Sequence, residues 1–420
     1  MVLEDLFCRP SALARFRLPP LGPQMDGFCD WLQPQGFSRC ALRRRIWQTS
    51  HFNQCLRKWS VKTCQEVSSA HGERFLRQHL SRCRCRGGHR CGRAGAHGAV
   101  RSLIEYLSQR ALLAESQPPD TPYQAVLQRY LHYLRCERHL SETTVKNHRV
   151  HLIPFLESLG TPLAAQLQQL SPEQLLAYFT QRSQHSAPSM PRLLQGVLRR
   201  FCHFCLHEGY LERDLQAAIP PLRHYRLGTV PQGIDAEDAR KTLQCIDRTT
   251  SIGRRDFALI LLLHTYGVRG GQLRALRVHD IDWRGGRIRF PAAKGGKEVL
   301  VPLTDEVAQG LVEYLRHGRA QAPYPEVFLT AQPPYRPLRC PATVSLRVAQ
   351  RMREAGVALP RAGSHSFRHG FATQMLEQGQ SMKTIADLLG HRNINTTFIY
   401  TKVDFNTLRQ LPLEWLEAGP

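Results

Sequence analysis

The sequence lacks long apolar runs. Its longest uninterrupted run, residues 257–263, has seven residues, whereas a membrane-spanning helix needs about 20. The N-terminal segment MVLEDLFCRPSALARF also lacks the positively charged start and the apolar centre of a secretory signal. These two absences predict a protein without membrane contact that stays in the cytoplasm, the compartment where it is made.

Acidic residues are scarce relative to basic ones. The chain has 34 Asp and Glu against 57 Lys and Arg, which gives a formal charge of +23 and a pI near 10.0. Such an excess favours a polyanionic partner, because neutralising phosphates releases their counterions. Nucleic acid is the expected partner; a ribosome-associated protein and a basic surface without a function are the alternatives. Residues 1–117 hold 19 of the basic residues and 8 of the acidic ones, so the excess is concentrated there.

The 13 cysteines do not predict disulfides, because a large chain without an export signal is not expected to meet an oxidising compartment. Cys202 and Cys205 occupy apolar positions of a helical pattern and are expected to be buried. The segment HLSRCRCRGGHRC contains five possible zinc donors, but its Cys-x-Cys spacing is not the usual Cys-x2-4-Cys pair. A basic arm that faces DNA is therefore favoured over a metal site there, and no metal or cofactor is predicted. The five donors are His79, Cys83, Cys85, His89 and Cys91.

Proline-rich segments divide the chain into three predicted blocks. QPPDTP, near residues 117–122, and PPLRHYRLGTVPQG, residues 220–233, read as linkers because proline cannot continue a helix. The predicted domains are an Arg- and Cys-rich block over residues 1–115, a helical block over 122–215 and a mixed block over 230–420.

The first two blocks share a pattern. In the second block, apolar residues recur every three or four positions, and Ser141 can begin a helix. Phe52 and Leu56 follow a basic run in the first block much as Phe155 and Leu159 follow one in the second. The N-terminal block is therefore interpreted as a degenerate copy of the helical block.

The third block combines helices with a hairpin. RRDFALILLLHTYGVR predicts a buried helix, and the chain reads as helical after residue 340. Between them, RIRFP and EVLVPL flank the turn AAKGGK, whose two glycines indicate an antiparallel hairpin. The predicted fold class is mainly α with a small antiparallel β-sheet in the third block.

Six residues of this block together provide the chemical groups that phosphoryl transfer without a metal ion needs. A phosphodiester needs a nucleophile, an acid for the leaving oxygen and positive donors for the nonbridging oxygens. Arginine suits the last task because its planar fork gives paired hydrogen bonds to phosphate. The block has no cluster of Asp and Glu that suits paired metal ions. Each residue alone is unremarkable, and the set comprises Arg269, Lys294, His365, Arg368, His391 and Tyr400.

The motifs that carry these residues resemble those of the tyrosine recombinases, the phage-integrase family. TYGVRGGQLRAL is similar to the first arginine motif, AAKGGKEVLVPL to the lysine hairpin, HSFRHGFAT to the His-x-x-Arg motif and LLGHRNINTTFIYTKV to the segment that ends in the nucleophile. The four motifs occur in the family's order over residues 266–403. The block 122–215 resembles the family's core-binding domain, and the block 230–420 resembles its α+β catalytic domain.

The resemblance implies a role for each residue. Tyr400 attacks the scissile phosphate and forms a 3′-phosphotyrosyl link without ATP, while Arg269 and Arg368 hold the nonbridging oxygens. His391 donates a further hydrogen bond, and His365 accepts the tyrosine proton. Lys294 protonates the leaving 5′-hydroxyl, with Lys297 as the second candidate. Gln272 stands where the family often has an acidic residue, and its amide can still orient Arg269 by hydrogen bonding.

The same resemblance implies partners. A DNA clamp over residues 122–215 makes Lys146 and Arg149 candidates for DNA contact, because they lie three apart on one helix face; a solvated basic face is the alternative. The expected partner is a double-stranded recombination site of a phage or mobile element at the nucleoid, with a dimer on each site and a tetramer at synapsis. A type IB topoisomerase and a catalytically silent DNA-binding protein are the alternative functions.

Overall fold

The computed structural model describes residues 3–80, 83, 93–114, 121–184, 186, 190–222, 232–292, 296–391, 393, 396–398 and 400. Contacts divide the chain into two units, and the described residues form three large hydrophobic cores and a fourth, small cluster that contains Tyr400. One unit comprises Met1–Leu113 together with Leu227–Pro420, and the other is Ala114–Arg226. The division into three predicted domains, with its boundaries, stays a prediction.

The N-terminal part of the first unit is helical. Its longest helices, α4 and α6, pack against each other around buried Phe52, Leu103 and Tyr106. The helices are α1 (Leu3–Leu6), α2 (Pro10–Phe16), α3 (Met25–Leu32), α4 (Arg39–Lys58), α5 (Ser69–Arg74), a π-turn (Phe75–His79) and α6 (Arg93–Gln109), with 3₁₀ turns at Gly22–Gln24, Gln33–Gln35 and Cys64–Glu66.

This part contacts the C-terminal part of the same unit. The guanidinium of Arg336 donates two hydrogen bonds to the carboxylate of Glu105 at 2.7 and 2.8 Å. Gly36 lies against the ring of Tyr335, where an added Cβ would approach a ring carbon to 2.5 Å. The N-terminal helices and the C-terminal helices therefore pack as one body.

The second unit is a helical bundle that confirms the predicted helical character of its block. Ser141 caps α8, since its Oγ accepts a hydrogen bond from the backbone N–H of Thr144, and Cys202 and Cys205 are buried as predicted. The helices are α7 (Gln124–Cys136), α8 (Glu142–Leu159), α9 (Leu163–Gln168), α10 (Pro172–Gln184) and α11 (Met190–His207), with a 3₁₀ turn at Gln216–Ala218.

The long helices α4 and α8 have the same spacing between their N-terminal cap and a buried phenylalanine. Ser38 caps α4 as Ser141 caps α8, and Phe52 and Phe155 follow their caps at the same spacing. Both phenylalanines are buried in their respective cores. This correspondence supports the interpretation that the N-terminal block is a degenerate copy, which stays a prediction.

The C-terminal part of the first unit combines helices with a small antiparallel sheet of order β1–β2–β3. The hairpin is confirmed, with Ile288 opposite Val301 and Phe290 opposite Val299, and alternate residues face the core. Its elements are α12 (Ala236–Gln244), α13 (Ser251–Tyr266), α14 (Gly270–Ala275), a 3₁₀ turn (Val278–Asp280), β1 (Ile281–Asp282), β2 (Arg287–Phe290), β3 (Val299–Pro302), α15 (Asp305–His317), α16 (Pro341–Glu354), α17 (Ser364–Glu377) and α18 (Met382–Leu388).

The predicted fold class, mainly α with a small antiparallel sheet, is confirmed by these elements. Across the part of the chain that the structure describes, no helix has both the length and the apolar character needed to cross a membrane.

Candidate active site

Arg368 forms the centre of a cluster of polar side chains within the first unit. It lies on α17 and its side chain is 97% buried, since its exposed fraction is 3%. Its guanidinium donates to the carbonyls of Gly267 at 2.8 Å and Leu389 at 2.7 Å, and it contacts His391 Nε2 at 2.8 Å. A guanidinium can only donate hydrogen bonds, so Nε2 of His391 is the acceptor.

Helix ends supply the carbonyls that hold this arginine. Gly267 ends α13 in the left-handed region, with φ 58°, and Leu389 follows the last turn of α18. Carbonyls at helix C-termini lack intrahelical partners and carry partial negative charge, so they bind cations. The Leu389 carbonyl also accepts a hydrogen bond from Arg269 Nη1 at 3.3 Å. Two helix ends therefore bring the two arginines together.

Gln272 holds the backbone of Arg269. The Gln272 side chain is buried, and its Oε1 accepts a hydrogen bond from the Arg269 backbone N–H at 3.0 Å. Its Nε2 donates to the carbonyl of Pro291, which follows β2, at 3.3 Å. The neutral amide thus ties the start of α14 to the hairpin, in the place where the related motif often has a carboxylate.

The two arginines form a concentrated positive charge. Burial, and next the charge of Arg269, lower the pKa of Arg368 to about 9, and burial lowers the pKa of Arg269. Arg368 therefore keeps its charge at neutral pH. Among the described residues, no Asp or Glu contributes to either shift.

Tyr400 lies beside this charge. It is 2% exposed, and its hydroxyl is 3.0 Å from Nδ1 of His369. Burial raises the pKa of Tyr400, while the charges of Arg368 and Arg269 act to lower it. Burial, and next the neighbouring His365 and Arg368, lower the pKa of His369 to about 4, so its ring is neutral at pH 7 and one of its nitrogens can accept a proton.

His391 is fixed in one tautomer. Because Nε2 accepts from Arg368, Nδ1 carries the proton and donates to Oγ1 of Thr397 at 2.7 Å. Burial, and next the two arginines, lower the pKa of His391 to about 4. The Gly390 before it has φ 62°, so the chain leaves the preceding helix in the left-handed region.

Four of the six predicted catalytic residues therefore lie together: Arg269, Arg368, His391 and Tyr400. His365 is exposed at the start of α17, and its ring centroid is 6.4 Å from that of His369. The residue that contacts the Tyr400 hydroxyl is His369, which the sequence analysis missed. Its signal was its position directly after Arg368, on the same helix as the His-x-x-Arg motif.

The sequence analysis names two lysines, Lys294 and Lys297, as candidate proton donors. Lys294 is outside the described residues. Lys297 is exposed, and its backbone N–H donates to the carbonyl of Gly390 at 3.4 Å. The end of the hairpin therefore adjoins the segment that carries His391.

The predicted DNA contacts lie in the second unit. Lys146 and Arg149 are exposed on α8, whereas His148 between them is buried and contacts the Tyr130 hydroxyl at 2.8 Å. Helix α8 thus buries one face and presents basic side chains on the other.

As for metal ligands, the described residues contain one group of three candidate donors, His51, His79 and Cys83, which lies in the N-terminal helices.

Comparisons with known proteins agree with this site. The phage integrase family matches residues 232–407, and the phage integrase N-terminal SAM-like domain matches residues 127–209. A candidate integrase/recombinase of Sinorhizobium fredii, y4rA, is 30% identical over 403 residues, 94% of this chain and 96% of that protein. Tyrosine recombinase XerC of Pseudomonas fluorescens is 30% identical over 288 residues, 67% of this chain and 92% of that protein.

A lambda integrase tetramer bound to a Holliday junction has the same fold, with a TM-score of 0.52 and 18% identity over 74% of this chain and 87% of that one. The family inferred from the four motifs is confirmed by the matches along both blocks. Since relatives at 30% identity match over more than nine-tenths of their length, this chain belongs to the phage integrase family of tyrosine recombinases, enzymes that cleave and rejoin DNA at specific sites.

Proposed function

We propose that Tyr400 is the nucleophile of this recombinase and that Arg269 and Arg368 bind the scissile phosphate. The observation that carries the proposal is the pair of guanidiniums beside the Tyr400 hydroxyl, that of Arg368 buried and that of Arg269 partly buried, without a carboxylate among the described residues to offset them. Like charges that are buried together repel each other, and a phosphodiester monoanion relieves the repulsion. The pair is therefore a site for a phosphate, with the phenol next to it.

The guanidinium of Arg368 has N–H donors left with which it can bind that phosphate. Three of its N–H groups are engaged, by the carbonyls of Gly267 and Leu389 and by Nε2 of His391. A guanidinium has about five N–H donors, which leaves about two for a nonbridging oxygen. The carbonyls fix the direction of the remaining donors before DNA binds, so that little reorganisation is needed in the transition state. For His391 to donate to the phosphate, its Nε2 must release Arg368 and gain a proton, either by protonation of the ring or by a change of tautomer.

The phenol proton passes to a histidine as the Tyr400 oxygen attacks phosphorus. His369 is the acceptor that the geometry favours, because its Nδ1 lies 3.0 Å from the hydroxyl. His365, which the family resemblance assigns to this role, is the second candidate. The P–O bond to Tyr400 forms as the bond to the 5′-oxygen breaks, and the product is a 3′-phosphotyrosine with a free 5′-hydroxyl.

The leaving 5′-oxygen takes its proton from Lys294, with Lys297 as the alternative donor. Attack by the 5′-hydroxyl of a second strand reverses the chemistry, so neither ATP nor a metal ion is needed. The proximity of the Lys297 backbone to Gly390 supports a lysine donor from this hairpin.

The partner is a double-stranded recombination site, which the formal charge of +23 favours. Lys146 and Arg149 would contact it from the second unit, consistent with the exposed basic face of α8. A dimer on each site and a tetramer at synapsis follow by analogy with the lambda integrase tetramer. We place the activity at the nucleoid, on the ends of a phage or another mobile element.

A nicked suicide substrate tests the nucleophile. Tyr400→Phe should abolish covalent capture of the DNA while binding persists, because the phenylalanine preserves the ring and removes the attacking oxygen. Tyr324→Phe, at a partly exposed tyrosine that the mechanism does not use, is the matched control and should capture DNA as the wild type does. Gel shifts measure binding, and denaturing gels measure the covalent adduct.

A covalent adduct that persists in Tyr400→Phe would show that another residue attacks. Loss of capture by the wild type in EDTA that magnesium alone restores would contradict the metal-free mechanism. Binding without capture by the wild type would favour the silent DNA-binding protein.

A further inference from the structure

The N-terminal helices hold a group of three side chains that the recombination chemistry does not use. His51 lies on α4, His79 is the last residue of the π-turn and Cys83 follows four residues later. Nε2 of His51 is 3.2 Å from Nε2 of His79 and 3.5 Å from Sγ of Cys83. All three ligand atoms lie within 4.8 Å of one another. Three donors from separate parts of the chain therefore converge on one point.

Two of the three distances between the ligand atoms match the geometry of a zinc site. Zinc binds imidazole nitrogen at about 2.0–2.1 Å and thiolate sulfur at about 2.3 Å in tetrahedral geometry, which places two nitrogens about 3.3 Å apart and nitrogen and sulfur about 3.6 Å apart. The distances of 3.2 and 3.5 Å differ from these values by about 0.1 Å. Hydrogen bonding alone would need one atom, His51 Nε2, to serve both partners, either as a shared acceptor or as a shared donor, whereas one cation uses the lone pairs of all three.

We propose that His51, His79 and Cys83 bind one Zn²⁺ ion and join α4 to the segment that follows the π-turn. The set of two imidazoles and one thiolate suits zinc among the abundant divalent ions. Binding releases the Cys83 thiol proton to solvent, and the sulfur and the two nitrogens each give a lone pair to the metal. A water or a further donor takes the fourth coordination position.

The surroundings support this assignment. His51 is 8% exposed, while His79 and Cys83 are partly exposed, so the ion has access from one side. The ring of His51 also packs edge-on against Phe75, which fixes its direction. The sequence spacing alone missed His51, because it precedes the Cys-rich segment by a whole helix and turn.

The role of the metal is structural. A metal bound by the three side chains would hold the π-turn and Cys83 against α4. The site is separate from Tyr400 and the two arginines in sequence and in chemistry. We therefore expect zinc to stabilise the N-terminal helices without a part in phosphoryl transfer.

Metal content of the full-length protein tests the proposal. Protein purified from zinc-supplemented medium should carry about one zinc per chain, measured by elemental analysis. His51→Ala and Cys83→Ser should lose the metal, whereas His97→Ala and Cys40→Ser, at exposed positions, should retain it. Cobalt should give a thiolate-to-cobalt charge-transfer band in the wild type and in Cys40→Ser, and no band in Cys83→Ser.

Chelation of the wild type tests the zinc site in a way that does not depend on whether the substituted variants fold. Removing zinc should lower the thermal midpoint of the wild type and of both controls, and re-adding zinc should restore it. A wild type that holds no zinc after supplementation, or ligand variants that hold as much zinc as the wild type, would overturn the site.

Discussion

Arginine pairs are used in two different ways in the first unit. Arg255 and Arg351 both donate to the buried carboxylate of Asp256, at distances of 2.6 to 3.0 Å, so their charges are offset within the fold. Arg269 and Arg368 meet backbone carbonyls and His391 instead. A buried charge without a counter-charge is costly. Such a pair is therefore a residue-scale indication of an anionic ligand, whereas the pair at Asp256 is explained by folding.

Two histidines of α17 compete for the role of base. His369 contacts the phenol, and His365 is exposed one turn away. A base must lie within hydrogen-bond reach of the proton that it removes, and its pKa sets the pH at which it works. The pKa of His369 is about 4, so its ring is neutral at pH 7 and becomes protonated as the pH falls through about 4. Protonation removes the acceptor, and cleavage by the wild type should decline on that acid side.

Replacing each histidine by alanine separates the two candidates. His369→Ala should slow formation of the covalent adduct by about 100-fold or more, the usual contribution of a positioned base. Imidazole added to the solution should restore part of the rate, because it can occupy the space beside Tyr400 and accept the proton. His365→Ala is the matched control and should be slowed less, without rescue. Rescue of His365→Ala alone would return the role of base to His365. Single-turnover rates on the suicide substrate provide the measurement.

At the scale of elements, the turn between α13 and α14 positions both arginines. Gly267 has φ 58°, its carbonyl accepts from Arg368, and Arg269 follows two residues later. A Cβ at Gly267 would lie 2.6 Å from the ring of Phe371 on α17. The turn thus needs glycine twice, for its left-handed conformation and for the close approach of α17.

Gly267→Ala should therefore damage both stability and chemistry. The left-handed conformation costs an alanine about 1–2 kcal/mol, and the contact with Phe371 adds to that. Displacing α17 from the turn shifts Arg368 relative to Tyr400, and a shift of about 1 Å can cost about 100-fold in rate. Urea denaturation measures the free energy of unfolding, and covalent capture measures the rate.

Gly356→Ala is the control for this variant. Gly356 has φ 74°, and nothing lies within 4 Å of an added Cβ, so the control introduces the backbone strain without the clash. The backbone strain should lower its free energy of unfolding by a similar amount, and its capture rate per folded molecule should equal that of the wild type. If both variants capture DNA equally well, the packing of the turn against α17 does not position the arginines.

At the scale of the whole molecule, local patterns predicted much of the fold. The hairpin and the serine cap of α8 depend on residues close in sequence, and the structure has both. The order of the motifs predicted that Arg269, Arg368, His391 and Tyr400 meet. These features follow from turn chemistry and from motif identity.

Contacts between distant segments were not predictable in the same way. The approach of Glu105 to Arg336 depends on how two sets of helices pack, which no local pattern encodes. The same holds for His51, which a whole helix and turn separate from the other two donors of the proposed zinc site. His369 was missed for a different reason, since its neighbour Arg368 carried the recognised motif and the contact with Tyr400 appears only in three dimensions.

The formal charge of +23 leads to a last prediction, which separates specific phosphate contacts from the general attraction of a basic protein. The logarithm of DNA affinity should fall linearly with the logarithm of salt concentration, with a slope of about −0.9 for each phosphate contact. If Lys146 and Arg149 each contact a phosphate, replacing both by alanine should make the slope shallower by about 1.8 as well as weaken binding. Fluorescence anisotropy over a salt series gives the slope.

The matched control removes the same formal charge from the other unit. Lys241 and Lys383 are exposed on α12 and α18 and have no proposed contact with DNA, so Lys241→Ala combined with Lys383→Ala should leave the slope near that of the wild type. Net charge changes by the same amount in both double variants, but counterions are released only where a cation meets a phosphate. Equal changes of slope in the two variants would therefore assign the effect to overall charge, and α8 would be a solvated basic face. A change confined to the α8 variant would place that helix on the DNA backbone.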